Sequence, residues 1–345
     1  MKSKFTLTII LFMLSIFQIC AAGAEYRRNI KKGWTKSSVT ALKITNKFGE
    51  VKINDLGGDS VTIKVIITID NLSGSKAEEL MNKIHVNFQK TGGLVSAETE
   101  IGEDFRNNKS FSIDYQINIP KDRELNVTNK YGNVIINELD AKGYFSVSYG
   151  SLTSGNIKTP AGTPVTIIVN YGKADLESIS EANIEIKYSK LFADEISRLT
   201  LNSKYSGVNL HKAKDLNMES KYDAISIDEV NNLKSESKYS NYKVGLLTGS
   251  FLLDTEYGSV RINEVDPKFS QIKIVNGYGG LNIALNDLSY KLQADCDYCD
   301  IIYPANRFKG NKSKENQHLL VIGTVGSGGG TVMINSRYGG VKLSE

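Results

Sequence analysis

The sequence predicts an all-β protein: a single-stranded parallel β-helix (β-solenoid), right-handed, with a strand-rich N-terminal section that carries one short helix. Three observations predict it. Aromatic residues recur every 17 to 22 residues, apolar residues alternate on either side of them, and turn-forming residues follow them directly.

The aromatic spacing is most regular from residue 184. There the chain reads IEIKYSKLFADEISRLT, LNSKYSGVNLHKAKDLN, MESKYDAISIDEVNNLK and SESKYSNYKVGLLTGSF, which sets Tyr188, Tyr205, Tyr222 and Tyr239 17 residues apart. The same frame continues through Tyr257 and Tyr278 and reaches back through Tyr171, Tyr149 and Tyr131. Further copies surround Phe48 (ITNKFGEVKI) and Tyr338 (INSRYGGVKL).

With the aromatic residue as position 5, apolar residues recur at positions 1, 8, 10, 13 and often 16; in the Tyr222 unit these are Met218, Ile225, Ile227, Val230 and Leu233. Positions 1, 3 and 5 alternate as a strand does, and positions 8 and 10 do so again after a break. A helix needs apolar residues three and four apart throughout, and this pattern does not supply that period. The break itself is usually Gly, Ser, Asp or Asn, residue types that tolerate a tight corner. One such coil cannot bury its own apolar side, but coils stacked along an axis can. The right-handed coil follows from the preference of parallel connections. A run of antiparallel hairpins forming a sandwich or barrel is the alternative, and it does not naturally hold a constant spacing.

The frame assigns roles to the remaining positions. The tyrosines Tyr131 to Tyr278 form one structural column, inside the coil or at its edge. Position 3 turns small and polar as Ser203, Ser220, Ser237, Thr255 and Asn276, a candidate ladder of side chains bonded from coil to coil. Position 4 carries Lys187, Lys204, Lys221 and Lys238, and position 2 answers with Glu185, Glu219, Glu236 and Asp254. That pairing reads as a solvated, salt-bridged face. The sharper reading is a basic stripe that binds an anionic glycan.

The ends of the chain speak to location. Lys2 and Lys4, the apolar run FTLTIILFMLSIF and the small residues Ala22-Gly23-Ala24 form a signal peptide, residues 1–24, cut after Ala24. A retained N-terminal anchor is the alternative. Cys20 lacks the residues of a lipidation site before it. No later stretch approaches the roughly 20 apolar residues of a membrane span. The mature chain keeps 40 basic residues against 38 acidic ones, a balance that gives no bulk attraction to nucleic acid. The predicted address is the periplasm, with the cell surface or the medium as alternatives.

Residues 25–122 form the strand-rich N-terminal section, which caps or begins the stack. Its helix is expected near 75–85, where Ser75-Lys76-Ala77-Glu78 fits a capping box and Leu80, Met81 and Ile84 share a face. Residues 123–345 form the β-helix domain. Within it, residues 304–318 (PANRFKGNKSKENQH) read as a polar surface loop that interrupts the frame. The glycine-rich GTVGSGGGT that follows lacks the Lys-Ser or Lys-Thr of a phosphate loop and reads as a turn.

Catalytic chemistry finds little support. His85, His211 and His318 are the only histidines, and none is near another in sequence. Asp295, Asp297 and Asp300 read as a solvent-facing acidic corner, without the glycine and distal Glu of a calcium loop. No metal or cofactor is expected. Cys296 and Cys299 are expected not to bridge, because a continuous strand would set their Cα atoms about 10 Å apart.

The opening LKITNKFGEVKINDLGGDSVTIKV, the recurring Asn/Ser-x-Tyr-Gly-x-Val-x-Ile units and the closing GGGTVMINSRYGGVKL resemble the putative-adhesin β-strand-repeat family of bacteria, common in Bacteroidetes. The chain is also similar to the GIN head domain of autotransporter adhesins. The resemblance implies an exported β-helical protein and brings no catalytic residues with it. Unlike an autotransporter, the chain is expected to carry no C-terminal membrane barrel. Two function classes follow: a non-enzymatic envelope module that binds a polymer or protein, and a glycan-active lyase or hydrolase.

Overall fold

The structure is a computed structural model and describes residues 25–70, 74–105 and 110–344. The proposed signal peptide and its cleavage after Ala24 lie outside the described residues. The fold is the expected all-β solenoid with one helix, Gly74–Met81. No helix among the described residues is long and apolar enough to cross a membrane.

Each coil has a front segment, which runs into the aromatic corner, and a back segment, which leaves it. In the most regular region the two are joined in single 15-residue strands such as Lys173–Lys187 and Lys190–Lys204. Along Lys173–Lys187 the buried residues are Ala174, Leu176, Ile179, Ala182, Ile184 and Ile186. Two outward residues in succession, Glu177-Ser178 and again Ser180-Glu181, mark two shallow bends. Together with the aromatic corner they give each coil three sides around one core. The five apolar residues of the Tyr222 unit are all buried.

Coils pair in parallel with strict register, so that Lys187, Lys204, Lys221 and Lys238 are successive partners. Strand spacing then fixes equivalent side chains about 4.8 Å apart along the axis. An extra residue in Asn241–Glu256 shifts the register once, at Val230/Asn232, and leaves the front face in step.

Stacking order departs from chain order at both ends. Ala41–Lys47 lies between Leu94–Ile101 and Glu124–Lys130, so the first coil is enclosed by segments that follow it. Gly330–Arg337 likewise lies between Gln271–Gly277 and Tyr290–Asp297. The outermost coils are then covered by antiparallel strands: Ile84–Thr91 and Ser60–Asp70 at one end, His318–Val325 and Phe308–Glu315 at the other. These strands blunt the edges that a bare terminal coil would expose.

Residues 304–318 therefore differ from the expected loop. Phe308–Glu315 is a strand, exposed along almost its whole length and paired antiparallel with His318–Val325. Its charged sequence is that of an edge strand with one partner. Ile84, placed on the helix by its spacing, begins the strand Ile84–Thr91 instead.

The disulfide is a second correction. Cys296 and Cys299 are bonded, with Cα atoms 5.5 Å apart. The strand ends at Asp297, and Tyr298 has φ 55°, so the chain folds back where a continuous strand was assumed.

Glycines after the aromatic corner are fixed by close approach. A Cβ on Gly150 would lie 2.0 Å from the Gly132 carbonyl oxygen, whereas one on Gly207 would meet nothing nearer than 3.9 Å. Gly150→Ala should destabilise the protein by about 2–3 kcal/mol, the usual cost of forcing atoms into a packed site. Gly207→Ala should be neutral or slightly stabilising. Urea unfolding of the two variants checks the contrast, and equal midpoints would contradict the packing.

Candidate binding face

The aromatic residues occupy a backbone conformation that simple alternation does not foresee. Phe48, Tyr131, Tyr149, Tyr171, Tyr188, Tyr205, Tyr222, Tyr239, Tyr257, Tyr278, Tyr298 and Tyr338 all have φ between 50° and 62°. In the left-handed region the chain reverses, and a side chain that alternation would point inward swings out. The tyrosines are consequently about half exposed, 48% for Tyr222.

They stack along the axis with ring centroids 4.7–5.0 Å apart, from Phe48 through Tyr131 to Tyr278 and on through Tyr338 to Tyr298. Each inner ring has a ring on both faces, so the ladder presents ring edges and phenol oxygens. Lys130 and Arg337 lean over Tyr131 and Tyr338, at 4.9 and 5.2 Å from the ring centres. A left-handed L-residue costs about 1–2 kcal/mol, and an aromatic contact returns about 0.5–1.5 kcal/mol beyond its buried area.

The polar position-3 residues lie inside, behind this corner. Ser203, Ser220, Ser237, Thr255 and Asn276 are all buried. Ser237 donates to Thr255 at 2.8 Å and the Asn276 amide donates to Ser336 at 2.9 Å, both between coils. Ser220 bonds both Asp223 at its own corner, at 2.7 Å, and the Ser240 hydroxyl of the next coil, at 2.8 Å.

Asp223 takes the place that glycine or serine holds in other coils. Its carboxylate also accepts the backbone N–H groups of Ser206 (2.7 Å) and Lys221 (3.1 Å). Ser203 lies near the same carboxylate but outside ordinary hydrogen-bond geometry. Burial pushes the Asp223 carboxyl above its ordinary range, against the opposite pull of these donors. Sequence reasoning missed this residue, although an acid in a column of Gly and Ser was the available signal.

The outward face of the front segments forms a continuous recess. Three shallow depressions of about 380, 240 and 370 Å³ share walls at Thr200, Asn217 and Lys234, and then at Glu219 and Glu236. Together they make one trough from Pro164 to Glu256.

Register sorts its lining into columns. One rim is tied together from coil to coil: Arg198 bonds Glu181, the Asn232 amide donates to Asp215 at 2.8 Å, and Ser250 donates to Asn232 at 2.9 Å. Arg198 holds the half-buried Glu181 carboxyl below its ordinary range. The floor carries Asn183, Thr200 and Asn217, exposed and in register. Among the described residues none of the three makes a side-chain hydrogen bond.

The opposite rim holds the four lysines beside the tyrosine ladder. Lys187 pairs with Glu185, and Lys238 with Glu256 at 3.0 Å, which raises the Lys238 ammonium above its ordinary range. Lys204 and Lys221 have no carboxylate within ion-pair distance among the described residues. Between floor and lysines run Glu185, Asn202, Glu219, Glu236 and Asp254. Acidic and basic columns alternate across the trough, and their fields largely cancel at a distance. The floor residues precede position 1 of each unit, so the repeat frame contained them.

On the back face His211 pairs with Asp228 at 3.0 Å, with Asp194 of the preceding coil beside them. His318, read as part of a loop, begins a strand opposite Asp297.

No protein-family model matches the chain, and no curated protein matches it. Several solved structures resemble it over most of their length, three of them as follows. The "putative cell adhesion protein" from Clostridium sporogenes shares 10% identity over 92% of this chain and 99% of its own, with a TM-score of 0.21. The "putative lipid binding protein" from Parabacteroides distasonis shares 13% over 74% of this chain and 96% of its own, with a TM-score of 0.37. The "putative adhesin" from Parabacteroides merdae shares 15% over the same fractions, with a TM-score of 0.30.

Two outcomes are expected from this geometry. Tyr222→Ala should cost about 2 kcal/mol, less than a fully buried aromatic would, since half the ring faces water. Tyr222→Gly should cost about 0.5–1 kcal/mol less than Tyr222→Ala, because only glycine adopts the left-handed corner without strain. Thermal unfolding tests the order, and a glycine variant clearly weaker than alanine contradicts it.

Asp223→Ser restores the serine of neighbouring coils. A carboxyl with its folded pKa above the unfolded value stabilises the fold fully below the unfolded pKa, and that stabilisation is lost as pH rises through the folded one. Wild type should therefore lose stability relative to Asp223→Ser as pH rises through the range above the ordinary Asp value. Urea midpoints across that range check the sign.

Proposed function

We propose that the protein is an exported, non-enzymatic binding module of the bacterial cell envelope, which holds an extended glycan chain along its front trough. The observation that carries this reading is the floor of Asn183, Thr200 and Asn217. These are hydrogen-bonding side chains without partners of their own, repeated at the coil spacing in an open recess. A polymer laid along the axis meets equivalent groups again and again, and many weak contacts then add to a firm hold.

The mixed charge favours a neutral or zwitterionic chain over a strongly anionic one. Lys187 and Lys238 are already paired, and an acidic column lies beside the lysines. The raised carboxyl of Asp223 is buried inside the coil, out of reach of such a chain.

The mature protein should retain envelope polysaccharides in affinity electrophoresis. Combined replacement of Asn183, Thr200 and Asn217 by Ala should weaken binding by about tenfold or more, since each hydrogen bond contributes about 0.5–1.5 kcal/mol. Lys204→Ala with Lys221→Ala should weaken it less, and only at low salt. Binding unchanged by the floor variant sinks the trough as the site. Release of new reducing ends or unsaturated products, abolished by changing one acid of the Glu219 column, would make the protein an enzyme instead.

A further inference from the structure

Asp295, Asp297 and His318 converge at the C-terminal end of the front face. Asp295 and Asp297 are alternate residues of Tyr290–Asp297, and both point outward. His318 is the direct partner of Asp297 across the antiparallel pair that covers this coil. Its Nδ1 lies 2.9 Å from Asp297 Oδ1 and 3.4 Å from Asp295 Oδ1. The donor atoms of the three residues all lie within 4.8 Å of one another.

We propose that these three side chains form a binding site for a first-row divalent transition metal ion such as Zn²⁺. The donor separations carry the proposal. With metal–ligand bonds of about 2.0–2.2 Å, neighbouring donors stand about 3.0 Å apart in an octahedral shell and about 3.4 Å apart in a tetrahedral one. The two separations from His318 Nδ1 have those lengths. One imidazole with two carboxylates suits zinc and its neighbours in the first row better than calcium or magnesium, which prefer oxygen alone.

The framework is stiff where the donors attach. The Asp295–Asp297 backbone is paired on both sides, with Gly330–Arg337 in parallel and His318–Val325 antiparallel. Cys296, between the two aspartates, is buried and disulfide-bonded to Cys299. The surrounding charge is mixed and leaves room for a cation. Arg337 is the register partner of Asp297, with its guanidinium over Tyr338, and Glu315 faces His318 from the next strand. All three donor residues are partly exposed, so water or a ligand atom can fill the remaining coordination positions.

A simpler use of the same residues is a protonated His318 bridging two carboxylates, and metal titration separates the two. Calorimetry with zinc on metal-stripped, non-reduced mature protein should show one ion per chain. His318→Ala and Asp297→Asn should each weaken binding at least about tenfold, since even outer-shell changes cost that much. His211→Ala, which alters the other histidine–aspartate pair, should bind as wild type does. Zinc should also raise the thermal midpoint of wild type and of His211→Ala, and leave that of His318→Ala in place. No stoichiometric binding by a wild-type protein that unfolds cooperatively would overturn the proposal. So would binding that survives both His318→Ala and Asp297→Asn.

Discussion

The left-handed backbone at the aromatic corner is the constraint on which the rest of the structure depends. It reverses the chain between the front and back segments within two residues, so one coil closes in 17 to 22 residues around a core narrow enough for Ile, Leu and Val to fill. It also turns the aromatic side chain out of that core. Such a corner is strained for any residue but glycine. Here the strain is shared out, because every ring sits on the ring of the coil before it. Where glycine follows the ring, as at Gly132 and Gly150, the previous coil's carbonyl allows no Cβ. Ring, corner and glycine are one solution to one geometric problem.

Exact repetition brings a second difficulty, the open ends. Both are closed by enclosing a terminal coil between others: the segment around Phe48 at one end, that around Tyr338 at the other. Forming either contact requires the chain to return over a long loop, an entropic cost met before the contacts form. In exchange neither chain-terminal coil is an edge. The edges left over are polar strands such as Phe308–Glu315, poor templates for further stacking.

Much of this was legible in the sequence because the frame is rigid. Once the tyrosines set the unit, Met218, Ile225, Ile227, Val230 and Leu233 followed as core, and the chain folds that way. The errors share a cause. The tyrosines do stack in one column, at the edge of the coil, but carrying strand alternation past position 5 kept Cys296 and Cys299 apart, where φ at Tyr298 brings them together. Polarity alone made residues 304–318 a loop, since an edge strand with two wet faces has no apolar alternation to reveal it. The meeting of His318 with Asp295 and Asp297 depends on an antiparallel pairing across some twenty residues, which no local pattern encodes.

The geometry of the ladder also bears on what the trough can hold. Sugars usually meet aromatic rings face on, but the inner tyrosines have spent both faces on each other at the coil spacing. The ladder is therefore a stiff rim with a row of phenol hydroxyls, and recognition falls to the side chains beside it. Those side chains inherit the same spacing from the same register, so the repeat that stabilises the coil also sets the period of the proposed binding face. A ligand whose own repeat differs from about 4.8 Å drifts out of step after a few coils. Tight binding then demands either a flexible chain or a short one. The floor of Asn183, Thr200 and Asn217 gives way to Lys234 and then to the apolar Leu252 in the next coils, so the proposed glycan would contact it over a short run of sugar units.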